Sequence, residues 1–348
     1  MTISESGPLA AGAAVNGFAP GDGAAYYRTI DKVQQAKIQS AGRRFVELTD
    51  GSDCLVLIGQ LVGGGDPGKP TDQAVQDLCE KRFGFPPPSP PRRTISVILD
   101  STGGPLDSAF KTVLYLSRYS DNINVYVPRR AKSASTLIAV GAHGIYMSPF
   151  GELGPLDTQI RDPRNPTDYI SALDCYQSVD YVRDFGFGTL AQAIKHLAMV
   201  TQGKITLIDS LGAATQFAIG SITPMLSQTK SLDFGAWGRS LKIGEKYAQI
   251  LLARVDPLDK ARAKRIASRL VYGYTHHLFA IDIAEAKDIG LNPKEMSNEQ
   301  YKAAVEIVNT CDRNEICIEF IKETDEPEES DERPDAAAVT GAPVEVAP

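Results

Sequence analysis

The chain has 348 residues, 43% of them hydrophobic, and a formal net charge of −7, which is enough apolar material for one large domain with additions or for two domains. The charge is uneven: residues 323–348 carry nine acidic side chains and one arginine, so the rest of the chain is nearly neutral and offers no broad basic face for nucleic acid. Five scattered cysteines (Cys54, Cys79, Cys175, Cys311, Cys317) form no CxxC pair, which speaks against a disulfide framework or zinc site, and no stretch reaches the ~18 unbroken apolar residues of a membrane span.

Residues 1–25 are rich in glycine and alanine and have neither the basic start nor the apolar centre of a signal peptide. They are expected to be a flexible segment of a soluble, cytoplasmic protein with free thiols, although Cys311 and Cys317 would be able to pair in an oxidising compartment. Tyr26 to Arg44 holds helix formers with few breakers. Arg43 to Val62 reads as a hairpin, with Phe45, Val46 and Leu48 before Asp50-Gly51-Ser52 and the run Cys54 to Val62 after it. Gly63 to Gly68 is a loop, Thr71 to Lys81 a short helix, and Phe85 to Pro91 a proline-rich spacer or docking loop.

Thr94 to Asp100 is a compact apolar strand leading into Ser101-Thr102-Gly103-Gly104-Pro105. Helical spacing follows from Leu106 to Arg118, and Asn124 to Pro128 is a second strand. After Ser133 comes an uncharged helical run with Leu137, Ile138, Ala139, Val140 and Ala142, and Gly144 to Met147 is a third strand. Strand–helix–strand alternation predicts an α/β fold with a mainly parallel sheet and ligands at the carboxyl ends of its strands, where both Gly103-Gly104 and Ser133 fall. Beyond a loop at 162–168, helical patterns cover Leu190–Val200, Ile205–Ile222, Trp237–Ala253, Pro257–Val271, Ile281–Ile289 and Asn298–Cys311, with a β-like Ile316–Phe320. The predicted organisation is a flexible 1–25, an α/β core over 26–185, a helical region over 186–321 that completes the domain and supplies contacts between subunits, and a disordered acidic tail over 322–348.

A helix as apolar as the one after Ser133 must be buried, so its first turn aims free N–H groups at the serine. Acyl-transfer chemistry needs that arrangement: a fixed nucleophile beside amide donors. The plain alternative is that Ser133 only caps the helix. The two glycines after the strand lack both GxGxxG spacing and a Walker lysine. They let a substrate backbone come close, and the N–H groups of Gly104 and Ala134 are placed to form an oxyanion hole at Ser133, with Gly103 and Ser135 lining the substrate crevice.

The strand, Ser101-Thr102-Gly103-Gly104, the pattern Val-Pro-x-x-Ala-x-Ser-Ala-x-Thr-Leu-Ile-Ala-x-Gly-Ala over 127–142, Met147 and Gly151-Glu152-Leu153-Gly154-Pro155-Leu156-Asp157-Thr158-Gln159 resemble the serine dehydrogenase proteinase family, serine peptidases of the Clp/crotonase superfamily related to signal-peptide peptidase A. The likeness covers about residues 93–160 and resumes near Leu270 to Leu291, at Tyr274-Thr275-His276, Glu285-Ala286 and Ile289-Gly290-Leu291. The resemblance implies a ββα-superhelix fold with a helical C-terminal extension and a homo-oligomer acting on peptide or protein substrates without a cofactor or metal. It also implies a triad: Ser133 as nucleophile, Asp157 as orienting carboxylate and His276 as general base, with His277 the adjacent alternative. Asp157 has a plainer reading as the cap of the next turn, and His276 as a surface histidine.

There are departures from the superfamily pattern. Ser135 stands where glycine is usual, and no lysine lies between Lys132 and Lys195, which argues against a Ser–Lys dyad; Lys132 is expected to point away from the serine. His143 reads as a turn residue and His196 as solvent-facing. Two other functions stay open: a catalytically inactive scaffold or regulatory subunit that holds a protein partner, and a crotonase-like enzyme acting on an acyl-CoA.

Overall fold

The computed structural model describes residues 31–49, 52–64, 69–91, 93–162, 165, 169–311 and 315–322. The segment expected to be flexible (1–25), the segment expected to be disordered (322–348) apart from Lys322, and the Asp50-Gly51 turn lie outside the described residues. The elements run α1 (Lys32–Glu47), β1 (Asp53–Ile58), α2 (Thr71–Phe83), β2 (Thr94–Asp100), α3 (Leu106–Tyr119), β3 (Asn122–Val127), β4 (Arg130–Ala131), α4 (Ala134–Val140), β5 (Gly144–Met147) and β6 (Glu152–Leu153). They continue with β7 (Gln159–Arg161), β8 (Tyr169–Ser171), α5 (Ala172–Val200), α6 (Leu207–Leu226), α7 (Ser231–Val255), α8 (Lys260–Tyr272), α9 (Ile283–Asp288), β9 (Lys294–Glu295), α10 (Asn298–Thr310) and β10 (Cys317–Phe320).

The fold is α/β with a mainly parallel central sheet in the order β10-β1-β2-β3-β5-β9; only β10 is antiparallel to its neighbour. Its strands read as continuous apolar runs because both faces are covered. On one face Leu55, Leu57, Ile95, Val97, Leu99, Val125 and Val127 join side chains from α2, α3, α4, α7 and α8. On the other, Cys54, Val56, Ile58, Ile98 and Tyr126 meet Ile38, Ala41 and Phe45 of α1 and Ala304, Ile307 and Val308 of α10.

The predicted hairpin is not there. Phe45 and Val46 belong to α1, because Ile38, Ala41 and Phe45 recur at helical spacing and bury against α10. The neighbours of β1 come from 94–100 and 317–320, so both its partners are distant in sequence. β10 falls within the β-like Ile316–Phe320 expected from the sequence, whereas β9 was not expected; together they close the two edges of the central sheet.

Candidate active site

Ser133 sits where the chain leaves the sheet for α4. Ser101 at the end of β2 receives the chain: Ser101 N–H donates to Arg130 O (2.9 Å) and Lys132 N–H to Ser101 O (3.0 Å). The turn into α4 is so sharp that Ser133 takes φ 50°, ψ −125°, a backbone conformation costing about 1–3 kcal/mol in a residue other than glycine. Ser133 stands at the N-cap, yet its side chain makes no capping bond. The capping reading therefore fails. Among the described residues Ser133 Oγ has no hydrogen-bond partner, which is the state of a hydroxyl held up to a crevice on a strained strand-to-helix turn.

The glycine turn lies directly against it. A Cβ on Gly103 would stand 2.7 Å from Ser133 Cβ and 2.8 Å from Lys132 O, and one on Gly104 would stand 2.2 Å from Leu61 O. Both residues have positive φ, 104° and 151°, so only glycine fits this close approach. Gly103 uses both its backbone groups internally: its N–H donates to Ser101 Oγ (3.1 Å) and its carbonyl accepts from Leu61 N–H (2.8 Å). The N–H groups of Gly104 and Ala134 have no partner among the described residues. One bare donor thus adjoins Ser133 in the chain and the other belongs to the glycine turn packed against it, and α4, all of whose residues are buried, adds its positive end.

Two of the expected lining residues are placed differently. Ser135 is fully buried and donates to Ser101 Oγ (2.6 Å), so it turns away from the crevice and, through Ser101, steadies Gly103 N–H. Gly103 has no backbone group left for a ligand and contributes only room.

Asp157 is 3% exposed. One oxygen of its carboxylate accepts from Ser171 Oγ (2.8 Å), and the other meets His277 Nδ1 in a short contact. His276 is not in this pair; its Nδ1 accepts from Leu278 N–H (3.2 Å) within its own exposed turn. Alternation of side-chain direction along the loop lets only one of the two adjacent rings face inward, and the structure brings His277 to the carboxylate. With Nδ1 bound to Asp157, Nε2 of a ring that is 22% exposed is left open.

Three segments bring these groups together. Leu153 and Ile281 exchange both backbone bonds (2.9 and 3.0 Å), and Leu156 N–H donates to Leu270 O (2.8 Å). Thr136 Oγ1, on α4 three residues after Ser133, accepts from Gly154 N–H (3.0 Å) and lies 2.6 Å from Ala131 O. The Asp157 segment is thus sewn to the serine helix on one side and to the histidine loop on the other. No hydrogen bond yet joins Ser133 Oγ to His277, a looseness usual in catalytic groups without substrate. Ser101, Thr136, Ser171 and His277 carry more of the geometry than their sequence signal suggested. Of these, only His277 was a visible candidate in the sequence, as the neighbour of His276.

Two of the buried thiols are poor rivals as nucleophiles. Burial pushes the Cys79 thiol up to about 12, and the hydrogen bond the Cys317 thiol makes to Cys311, followed by burial, raises that of Cys317 well above the usual range. Among the described residues no group of three or more His, Cys, Asp or Glu side chains stands close enough to hold a metal ion, and no helix is long and apolar enough to cross a membrane. The chain matches no protein-family model, and no curated protein is significantly similar to it.

Proposed function

We propose that this protein is a serine peptidase of the Clp/crotonase type, similar to the serine dehydrogenase proteinases, with Ser133, His277 and Asp157 as its triad. The observation that carries the reading is the uncapped, strained Ser133 packed against a glycine turn, with unpartnered N–H groups at Gly104 and Ala134 and a carboxylate-bound histidine on the segment sewn beside it. His277 Nε2 takes the proton from Ser133 Oγ as the oxygen attacks the peptide carbonyl carbon. The oxyanion then lies between Gly104 N–H and Ala134 N–H, each such donor being worth roughly 3–4 kcal/mol. The C–N bond breaks, the amine leaves with the proton from His277, and a water deprotonated by the same ring releases the acyl group as a carboxylate. Asp157 keeps the Nδ1 proton in place and stabilises the imidazolium; Ser171, bonded to the other oxygen, fixes the carboxylate.

The same reading makes the protein a cytoplasmic homo-oligomer, and the helices beyond residue 172 supply the contact. α6 packs chiefly on α5 through small residues, Ser210, Ala214 and Ala218. Ile208, Leu211, Ile219 and Leu226 recur on its other side and are 82, 46, 55 and 42% exposed. Exposed apolar side chains repeating along one side of a helix in this way mark an interaction surface. Asp209 is the one charged residue of α6, so the helix has no basic face for lipid headgroups, and a second copy of the chain is the occupant it suits.

Covalent labelling by a fluorophosphonate, read by intact-protein mass, tests the activity: one adduct on the native chain and none on Ser133→Ala. An intact oligomer without labelling would make the protein a scaffold, and turnover of acyl thioesters without labelling would make it a crotonase-like enzyme. Either result ends the peptidase reading.

A further inference from the structure

Lys132, next to Ser133, is 8% exposed, and lysine is almost never this buried without partners. Its ammonium meets three oxygens from two separate segments: Leu153 O at 3.3 Å, Glu152 Oε1 at 2.9 Å and Phe279 O at 3.2 Å. Three N–H donors thus face three acceptors, and none is left over. Phe279 lies two residues beyond His277, and Leu153 lies four before Asp157. Without Lys132, the described contacts between these two segments in this stretch are the Leu153–Ile281 backbone pair and the Asp157–His277 bond.

We propose that Lys132 is a positioning residue that clamps the histidine loop onto the Asp157 segment and ties both to the residue preceding the nucleophile. This rests on the serine-peptidase reading and adds to it the part that sets the distance between base and serine. Lys132 reaches away from Ser133 Oγ toward the two carbonyls. Its contacts go to Glu152 and the two carbonyls, and none goes to Ser133. The clamp fixes a geometry in which a displacement of about 1 Å is worth about 100-fold in rate.

The test uses the full chain and the double variant Lys132→Met/Glu152→Gln, which keeps the aliphatic stem and leaves no orphan charge. The expected result is a fluorophosphonate labelling rate lower by about 10- to 100-fold, with the midpoint of the rising limb of its pH profile unchanged. Amide hydrogen exchange over residues 276–281 should become faster. Glu152→Gln alone keeps an oxygen for Nζ, and a smaller slowing is expected of it, which preserves the test if the double variant does not fold. Unchanged exchange in the loop overturns the clamp, as does a labelling rate that the double variant leaves unchanged. If the native chain takes no label at all, the peptidase reading falls while the exchange measurement still decides the clamp.

Discussion

The α/β body and the helical arm of α5 and α6 use apolar side chains in opposite ways. In the body, Ile95, Val97 and Leu99 of one strand are fully buried, and so are Leu137 and Ile138 of the serine helix. In the arm, α6 is the more apolar helix, yet Leu207, Ile208, Phe217 and Ile219 are 74, 82, 62 and 55% exposed. The body closes its core within one chain, which is what a strained serine needs, since the surroundings must hold it against about 1–3 kcal/mol. The arm leaves apolar surface open, which the proposed contact with a second copy would cover. The two regions touch at a chemically meaningful point: Ser171 caps α5 through Leu173 and Asp174 N–H (3.1 Å each) while donating to Asp157.

The largest expected effect lies in the body and separates two neighbouring rings. His277→Ala should lower peptide hydrolysis by about 10⁴-fold or more, as removal of a triad base does. His276→Ala, whose ring serves only its own turn, should stay within about threefold of the native rate. Steady-state kinetics on both variants checks this, with thermal melts to show that each is folded. Equal losses, or the reverse order, would break the assignment of the base.

The arm is tested by charge. Ile208→Glu/Ile219→Glu places two carboxylates on the exposed side of α6, where each single change should alter the stability of the folded chain by about 0.5 kcal/mol or less. Self-association, followed by sedimentation velocity, should be lost while the melting temperature of the chain stays within a few degrees. A native chain that sediments as a monomer at micromolar concentration would show that the arm is not a self-contact. A variant that dissociates and also loses activity would show that assembly reaches Asp157 through the Ser171 cap.

How much of this was legible in the sequence differs by the range of the interactions involved. Thr94–Asp100 and the helix from Leu106 were readable to within a residue or so, because a buried strand followed by two glycines and a periodic helix is a local pattern. The two open N–H groups were readable for the same reason: those of Gly104 and Ala134 follow from one turn and one helix start. The hairpin failed because Phe45 and Val46 are β-prone residues whose burial against α10, more than 250 residues away, decides their state. Ser135 was misplaced because the direction of a side chain at a helix start depends on the turn preceding it, and that turn is set by Ser101. The choice between His276 and His277 needed the registration of a loop against residues 153–157, fixed by Leu153 pairing with Ile281 and by Lys132, neither of which leaves a mark in local sequence.

The smallest expected effect belongs to the body's edge and concerns acid stability. His143 closes the turn after α4, and its Nδ1 accepts from Ile123 N–H (3.0 Å), which requires that nitrogen to be unprotonated. Burial, and then the charge of Arg254, hold the ring below its ordinary value, with Asp121 opposing. The unfolded chain therefore binds a proton more readily than the folded one. The contribution of His143 is fully present above about pH 6.5, the unfolded value, and is lost as pH falls through 6.5 toward the lower folded value. The ring is partly exposed to solvent, so the effect is modest. Urea denaturation at about pH 7.5 and about pH 5.5 should show the native chain losing more stability between the two than His143→Asn, whose amide can still accept from Ile123 but does not titrate. An identical loss in both chains would mean that His143 remains neutral, or charges without cost, through that range.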